Sequence, residues 1–219
     1  GIYGLKVIYD ACHAFGVTLN GNSILNFGDL SVLSFHATKV FTTFEGGAII
    51  CHDETTKKRI DFLKNFGFSD ETTVVAPGIN AKMNEFQAAL GILQLKYIDE
   101  SIRKRKEIAD YYRDNLYDVP GISFLSDMPG VRHNYQYFPI FVDENNFGKS
   151  RNNVYELLKK ENINARRYFY PLISQFPTYR GLDSAHPGNL PVAEDLTQKV
   201  LCLPIYPGLE INHIIKIIK

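Results

Sequence analysis

A single lysine, Lys39, stands between two apolar runs in the segment SFHATKVFTTFEGGAII, which covers residues 34–50. Burial disfavours the charged form of a lysine, so the amine of a buried lysine is more easily neutral and nucleophilic. A neutral amine is what Schiff-base chemistry with a carbonyl compound requires. A lone lysine at a strand end more often reaches solvent with its stem packed. Lys39 therefore predicts chemistry only if suitable partners accompany it.

Three other polar residues fall at positions where they could join Lys39. Asp10 ends the apolar run LKVIYD, His13 follows three residues later, and Ser34 ends the run LSVLS. With the lysine they are the parts of a pyridoxal phosphate site. The aspartate would keep the pyridine nitrogen protonated, the lysine would form the Schiff base and the serine would donate to the phosphate. Taken alone, Asp10 is more often a turn or helix cap, and Ser34 is more often a satisfied polar group at a strand end, than a cofactor ligand.

A sheet is needed to bring these residues together. The runs LKVIYDA, LSVLSF and GGAIICHD predict three strands, and a helix is predicted after the third, from a cap at Asp53 to a stop at Gly67. Apolar strands joined by helices indicate an α/β sheet. Open α/β sheets place their ligands at the carboxyl ends of strands, so Asp10 and Lys39 are expected at the same edge.

The remaining chain predicts more helices and then a second region. Residues 84–115 predict two consecutive helices or one bent helix, with a buried apolar first half (FQAALGILQL) and an exposed charged second half (RKRKEIADYYRDNL). The break at VPGI predicts a boundary between a larger first region at residues 1–118 and a small α+β subdomain at residues 119–219. The subdomain is predicted to hold the strand YQYFPIFV and three helices, which begin near Ser150, Pro191 and Ile211.

Composition narrows the possible partners. The 219 residues carry 24 Lys and Arg against 24 Asp and Glu, so no electrostatic footprint for nucleic acid or a membrane surface is present, and small molecules or other protein chains are the expected partners. The cysteines Cys12, Cys51 and Cys202 are far apart in apolar runs, which favours reduced buried thiols over a metal site or a disulfide. No apolar run reaches the ~20 residues that span a bilayer. We expect a soluble cytoplasmic protein.

Three segments carry a specific resemblance. YDACHAFG, GDLSVLSFHATKVFTTFEGGAII and GINAKMNEFQAALGILQL resemble, in order, the signature segments of the DegT/DnrJ/EryC1/StrS family of sugar aminotransferases, which are fold type I pyridoxal phosphate enzymes. The resemblance runs from Val7 to Leu95 and continues more loosely to the C-terminus. It implies an α/β fold, with a mostly parallel sheet and helices in the partial large domain and a small α+β C-terminal subdomain.

The resemblance also implies a role for each candidate residue. Asp10 would pair with the pyridine nitrogen, His13 would lie near the ring and Ser34 would bind the phosphate. Lys39 would be the Schiff-base lysine and the proton carrier, which makes Lys39 and Asp10 the catalytic residues. Asn80, in the G-x-N segment, would reach the cofactor phosphate of a partner subunit, which implies a homodimer with shared sites.

The implied reaction moves an amino group from glutamate to a nucleotide-linked, usually dTDP-linked, 4-keto- or 3-keto-6-deoxyhexose. One alternative is a pyridoxal phosphate sugar dehydratase of the same fold, in which histidine replaces the lysine, so Lys39 argues against it. Another alternative is a non-catalytic remnant that serves only as a dimerisation or binding module.

The sequence departs from the family pattern before Val7. Members carry an N-terminal portion with a Gly-Thr phosphate-binding turn, an aromatic residue that stacks on the pyridine and several strands, whereas residues 1–4 (GIYG) are typical of the last turn of a helix. We therefore expect a truncated chain that has no transaminase activity by itself. Its sheet should expose an apolar edge or face.

Overall fold

The computed structural model describes residues 2–219, in which helices alternate with short strands. The strands are β1 (Ile8–Asp10), β2 (Thr18–Leu19), β3 (Asn22–Ser23), β4 (Leu30–Ser34), β5 (Gly47–Cys51), β6 (Ile122–Phe124), β7 (Val131–Arg132), β8 (Phe138–Val142) and β9 (Val200–Leu203). The α-helices are α1 (Glu54–Leu63), α2 (Glu85–Leu95), α3 (Ile98–Leu116), α4 (Glu144–Phe147), α5 (Arg151–Lys160), α6 (Pro191–Lys199) and α7 (Ile211–Ile218). Two units are formed, one by residues 2–102 with 128–134 and the other by residues 103–127 with 135–219. The predicted boundary near residue 119 stays a prediction.

The first unit contains a three-stranded sheet in the order β1-β4-β5. Strand β1 runs parallel to β4, with Asp10 opposite Val32, and β4 runs antiparallel to β5, with Ser34 opposite Gly47. These are the three strands that the sequence predicted, each shorter than its apolar run. The register brings the carboxyl ends of β1 and β4 to one edge of the sheet.

One face of this sheet forms the core of the first unit. Side chains alternate between the faces of a strand, and Ala11, Leu33 and Phe35 point to the same side, where they pack with Phe41. The opposite face exposes Ile8, Val32 and Ile49, which are 63%, 37% and 46% accessible to solvent. The expected exposed apolar face is therefore found in the structure.

Two consecutive helices follow α1, as predicted, but their burial is the reverse of the prediction. Phe86 in α2 is 90% exposed, and Ile92 and Leu93 are also exposed. The charged helix α3 instead buries a stripe at helical spacing, which contains Ile102, Arg105, Ile108, Ala109, Tyr112 and Leu116. The prediction was wrong because it weighed the overall composition of each half instead of the spacing of the apolar residues.

Arg105 is a second correction in this helix. It belongs to the run RKRKE, which was predicted to be a solvated face, yet it is buried and donates to the carbonyls of Tyr135 at 3.3 Å and Ile205 at 2.8 Å. Its burial lowers the pKa of the guanidinium to about 10. Arg105 thus satisfies backbone acceptors inside the second unit, a role that the surrounding charges conceal in the sequence.

The second unit is built on an antiparallel sheet in the order β6-β8-β9. Strand β8 matches the predicted strand YQYFPIFV, and α5 begins at the predicted cap, where Ser150 Oγ accepts from the Asn153 amide at 3.2 Å. Strand β9 was not predicted. All four of its residues are buried, and it directly follows α6, so its apolar run had merged with the helical pattern.

The cysteines differ in their burial. All three are free thiols, but only Cys202 is buried, and Cys12 and Cys51 are half-buried. The prediction of three buried thiols is wrong for these two because each lies at or just beyond the end of a strand. Among residues 2–219, no helix has the length and apolar character that crossing a membrane requires.

Candidate functional site

Asp10 and Ser34 lie at the same edge of the sheet. Each is the last residue of its strand, and the two strands are adjacent and parallel. The ladder continues one step further, since the Ala11 amide donates to the Val32 carbonyl at 2.9 Å. The predicted meeting of these two residues therefore follows from the parallel pairing.

The Asp10 carboxylate is held by Cys12. The Cys12 amide donates to Asp10 Oδ1 at 3.1 Å, and the Cys12 side chain also forms a hydrogen bond with the carboxylate. These hydrogen bonds, and to a smaller extent the nearby charges of His13 and Lys39, lower the pKa of Asp10 below its ordinary value of 3.8. The same bond raises the pKa of the Cys12 thiol. Asp10 is thus ionised at neutral pH, beside a thiol that stays protonated.

His13 lies in the turn after β1. Burial, followed by the charge of Lys39, lowers the pKa of His13 below 6.5, and the charge of Asp10 opposes this shift. The turn is anchored by the buried Asn134, whose Nδ2 donates to the carbonyls of His13 at 2.8 Å and Phe15 at 2.9 Å. His13 is therefore a neutral imidazole at neutral pH, carried on a turn whose backbone is anchored.

This environment makes a testable prediction for the titration of His13. Its pKa, measured by NMR, should lie below 6.5 and should rise in Lys39→Met, because a repelling charge is removed, yet remain below 6.5, because burial is the larger cause. The unfolded chain takes up this proton near pH 6.5, so the contribution to folding stability is lost as the pH falls from 6.5 through the folded pKa. Lys58→Met, on an exposed part of α1, is the control. A wild-type pKa at or above 6.5 would contradict the assignment.

Lys39 lies in the connection between β4 and β5, residues 35–46, which we call the Lys39 loop. Its amide donates to the His36 carbonyl at 2.9 Å, and the ends of the loop are joined by a bond from the Phe35 amide to the Gly46 carbonyl at 2.8 Å. Within residues 2–219, the half-buried Lys39 ammonium has no hydrogen-bond or ion-pair partner. Its charge acts on Asp10 and His13, so it faces the same edge of the sheet.

Three packed phenylalanine rings join the segments that carry His13 and Lys39. The rings of Phe15 and Phe41 are stacked with centroids 4.3 Å apart, and Phe35 meets Phe41 edge-on at 4.8 Å. Phe15 belongs to the turn that carries His13, and Phe35 and Phe41 belong to the Lys39 loop. Such ring pairs add to the stability that burial provides. The cluster therefore ties the His13 turn and the Lys39 loop to one rigid core.

Ser34 completes the group at this edge. Its Oγ accepts from the His36 amide at 3.3 Å, and its own hydroxyl proton has no acceptor among residues 2–219. An apolar cavity of about 310 Å³ also adjoins Asp10, and Tyr9, Leu19 and Phe27 contribute to its walls. The arrangement combines a free amine, a fixed carboxylate and a free hydroxyl donor.

Asn80 occupies a separate segment of the first unit. It pairs with Asn65 in an isolated bridge and is exposed. This segment follows a close backbone approach at Gly67, which has a φ of +85° and where a Cβ atom would lie 1.7 Å from the Ala76 carbonyl oxygen. The structure therefore groups Asp10, His13, Ser34 and Lys39, and presents Asn80 to solvent elsewhere on the unit.

Sequence reasoning missed Cys12 and Asn134. Cys12 was interpreted only as a buried thiol, although its position two residues after Asp10 is a signal for an Asp side chain that bonds the following backbone. Asn134 is 121 residues away from His13, and nothing in the local pattern around it indicates the contact.

Comparisons with known proteins identify relatives of this chain. The sequence model of the DegT/DnrJ/EryC1/StrS aminotransferase family matches residues 2–219. The dTDP-4-amino-4,6-dideoxy-D-glucose transaminases of Escherichia coli and Shigella dysenteriae are 53% and 49% identical, over 99% and 94% of this chain. The matches cover 58% and 56% of those relatives, so the chain spans little more than half of their length.

The fold is shared with solved structures. The crystal structure of DesI in the presence of its TDP-sugar product is 35% identical with a TM-score of 0.90, over 99% of this chain and 55% of DesI. This likeness confirms the expected α/β class of fold type I transferases. With the family match over nearly every residue, it leads to one conclusion: the chain belongs to the DegT/DnrJ/EryC1/StrS aminotransferase family.

Proposed function

We propose that the protein is a pyridoxal phosphate-dependent aminotransferase that moves an amino group from glutamate to a dTDP-linked 4-keto- or 3-keto-6-deoxyhexose. The observation that carries this proposal is the unpaired Lys39 amine at the sheet edge that also holds the ionised Asp10 and the Ser34 hydroxyl. The names of the two transaminase relatives support a dTDP-linked amino sugar as the product.

The donor set fits this cofactor. Asp10 would pair with the pyridine nitrogen, Ser34 would donate to the phosphate and Lys39 would form the covalent link. Bound there, pyridoxal phosphate supplies an electron sink for the carbon that gains or loses the amino group. The neutral His13 would lie beside the ring. Residues 1–118 would form the cofactor-binding part, and residues 119–219 the smaller part.

The properties of Lys39 suit a proton carrier. It is half-buried, and no carboxylate lies within ion-pair distance of it among the described residues, so its amine is available to exchange a proton with a bound substrate. Asp10 has the opposite character, because its hydrogen bonds favour a permanent negative charge. The two residues therefore have different roles: Lys39 would exchange protons, and Asp10 would keep a fixed negative charge at neutral pH.

Amine transfer can be tested directly with the full-length protein. It should convert a dTDP-linked 4-keto-6-deoxyglucose to the amino sugar in the presence of glutamate, as followed by mass spectrometry, and the GDP-linked analogue should react more slowly. Alanine in place of glutamate tests the amino donor. Absence of amino sugar with every donor would contradict the proposed reaction, and equal rates with both nucleotides would contradict the dTDP assignment.

A homodimer is part of the proposal. The apolar helix α2 exposes Phe86 and Ile92, which is unusual for a monomer surface, and Asn80 is exposed on the same unit. We propose that α2 and Asn80 lie at or near the two-fold interface, with Asn80 serving the cofactor phosphate of the partner subunit.

Sedimentation tests this assembly. The full-length protein should sediment as a dimer, and Phe86→Asp should shift it towards a monomer because a charge would be buried without a partner. Val192→Asp alters an apolar residue of α6 that is 71% exposed and is the matched control. A dimer unaffected by Phe86→Asp, or a fully active wild-type monomer, would contradict the proposed interface.

A further inference from the structure

His36 is bonded on both sides to candidate site residues. Its amide donates to Ser34 Oγ at 3.3 Å, and its carbonyl accepts from the Lys39 amide at 2.9 Å. The backbone of this one residue therefore links the candidate phosphate donor to the candidate nucleophile.

The ring of His36 makes two further contacts. The Thr38 amide donates to Nδ1 at 3.2 Å, and Thr38 Oγ1 lies 2.9 Å from the same nitrogen. Nε2 lies 3.7 Å from Glu45 Oε1, near the other end of the Lys39 loop. A backbone amide can only donate, so Nδ1 must be the acceptor, and the ring proton of the neutral histidine lies on Nε2, facing Glu45.

These contacts restrain both sides of Lys39. Thr38 directly precedes it, and Glu45 stands beside Gly46, whose carbonyl closes the loop with Phe35. Between these points the loop has no regular secondary structure. Side-chain contacts, instead of the hydrogen bonds of a helix or strand, therefore restrain its backbone.

We propose that His36 is a positioning residue for Lys39, with Nδ1 fixing the Thr38 amide and thereby the backbone from which the Lys39 side chain extends. This inference rests on the proposed function of Lys39. The bond to Thr38 is the important one. The Glu45 contact joins side chains that are 47% and 72% exposed, and such pairs contribute little.

Three substitutions of His36 distinguish the contribution of Nδ1 from that of Nε2. Asparagine places an amide oxygen near the position of Nδ1 and keeps an acceptor for Thr38, whereas glutamine places its amide near Nε2, and leucine provides neither. His36→Asn should therefore resemble the wild type, and His36→Gln and His36→Leu should not. His52→Leu, at an exposed histidine just after β5, is the matched control.

Two measurements on the full-length protein report the effect. Amide hydrogen exchange at Thr38 and Lys39, in the absence of cofactor, should be faster in His36→Gln and His36→Leu by about fivefold, the amount that one lost hydrogen bond typically allows. Capture of pyridoxal phosphate by Lys39, trapped with borohydride and located by peptide mass spectrometry, should slow by a similar factor. His36→Asn and His52→Leu should match the wild type in both measurements.

The outcomes distinguish this inference from the proposed function. If exchange and capture are the same in His36→Leu as in the wild type, or if asparagine and glutamine behave alike, His36 does not position Lys39. If Lys39 of the wild type is not labelled at all, or if Lys39→Ala gives the same labelled yield, the proposed function itself fails.

Discussion

Lys39→Ala is expected to abolish amino transfer in the full-length protein, lowering turnover by at least about 10⁴-fold, because one amine serves as both the covalent anchor and the proton carrier. The visible absorption band of the lysine-linked cofactor should disappear in the same variant. Stopped assays with glutamate and the dTDP-linked ketosugar measure the first effect, and a spectrum of the purified protein with pyridoxal phosphate measures the second.

The control for this change is Lys58→Ala, which removes an exposed lysine from α1 in the same unit and should leave both the turnover and the band intact. A small primary amine can occupy the space of the missing side chain, so partial recovery of Lys39→Ala by added methylamine would strengthen the assignment. Turnover within tenfold of the wild type would exclude Lys39 as the reactive group.

Asp10→Ala is expected to lower turnover by about 10²- to 10³-fold, the scale on which loss of a preorganised electrostatic partner acts. Without the carboxylate, the pyridine nitrogen would lose its proton and the ring would no longer withdraw electrons. Because the pKa of Asp10 is below 3.8, the defect should be equally large across the neutral pH range. Steady-state rates measured at several pH values provide the test.

Asp114→Ala, which removes an exposed aspartate of α3, is the control and should leave turnover unchanged. Asp10→Asn is informative as a second variant, because it keeps the shape and one acceptor oxygen but loses the charge. If Asp10→Asn is as active as the wild type, the fixed charge is not required. A defect confined to low pH would show that Asp10 is not the group that stays ionised.

The candidate site was largely predictable because its parts follow simple rules of chain geometry. Asp10 and Ser34 end adjacent apolar runs, and the parallel pairing of β1 with β4 converts that pattern into proximity. The unpredicted contacts have a different origin. Asn134 contacts His13 although the two residues are 121 positions apart in the sequence. No spacing of residues in either segment indicates a contact at that separation.

In the fold, too, features that depend on neighbouring residues were predicted, and features that depend on distant residues were not. The caps at Asp53 and Ser150 were predicted from side chains that bond their own neighbouring amides. Strand β9 was not predicted because its residues continue the pattern of α6. It becomes a strand by pairing with β8, which lies more than fifty residues earlier in the chain. Burial of Arg105 was hidden for a related reason, since its acceptors lie in distant parts of the chain.

The two pairings of β4 bear on the order in which the site assembles during folding. The antiparallel pairing with β5 needs only the Lys39 loop to close, whereas the parallel pairing with β1 must enclose the longer segment that contains β2 and β3. Contacts between residues close in sequence form sooner on average, because less chain entropy is lost before the first hydrogen bonds are made. Chain entropy therefore favours an order of folding in which the hairpin that carries Ser34 and Lys39 forms first and β1, with Asp10, pairs with it afterwards.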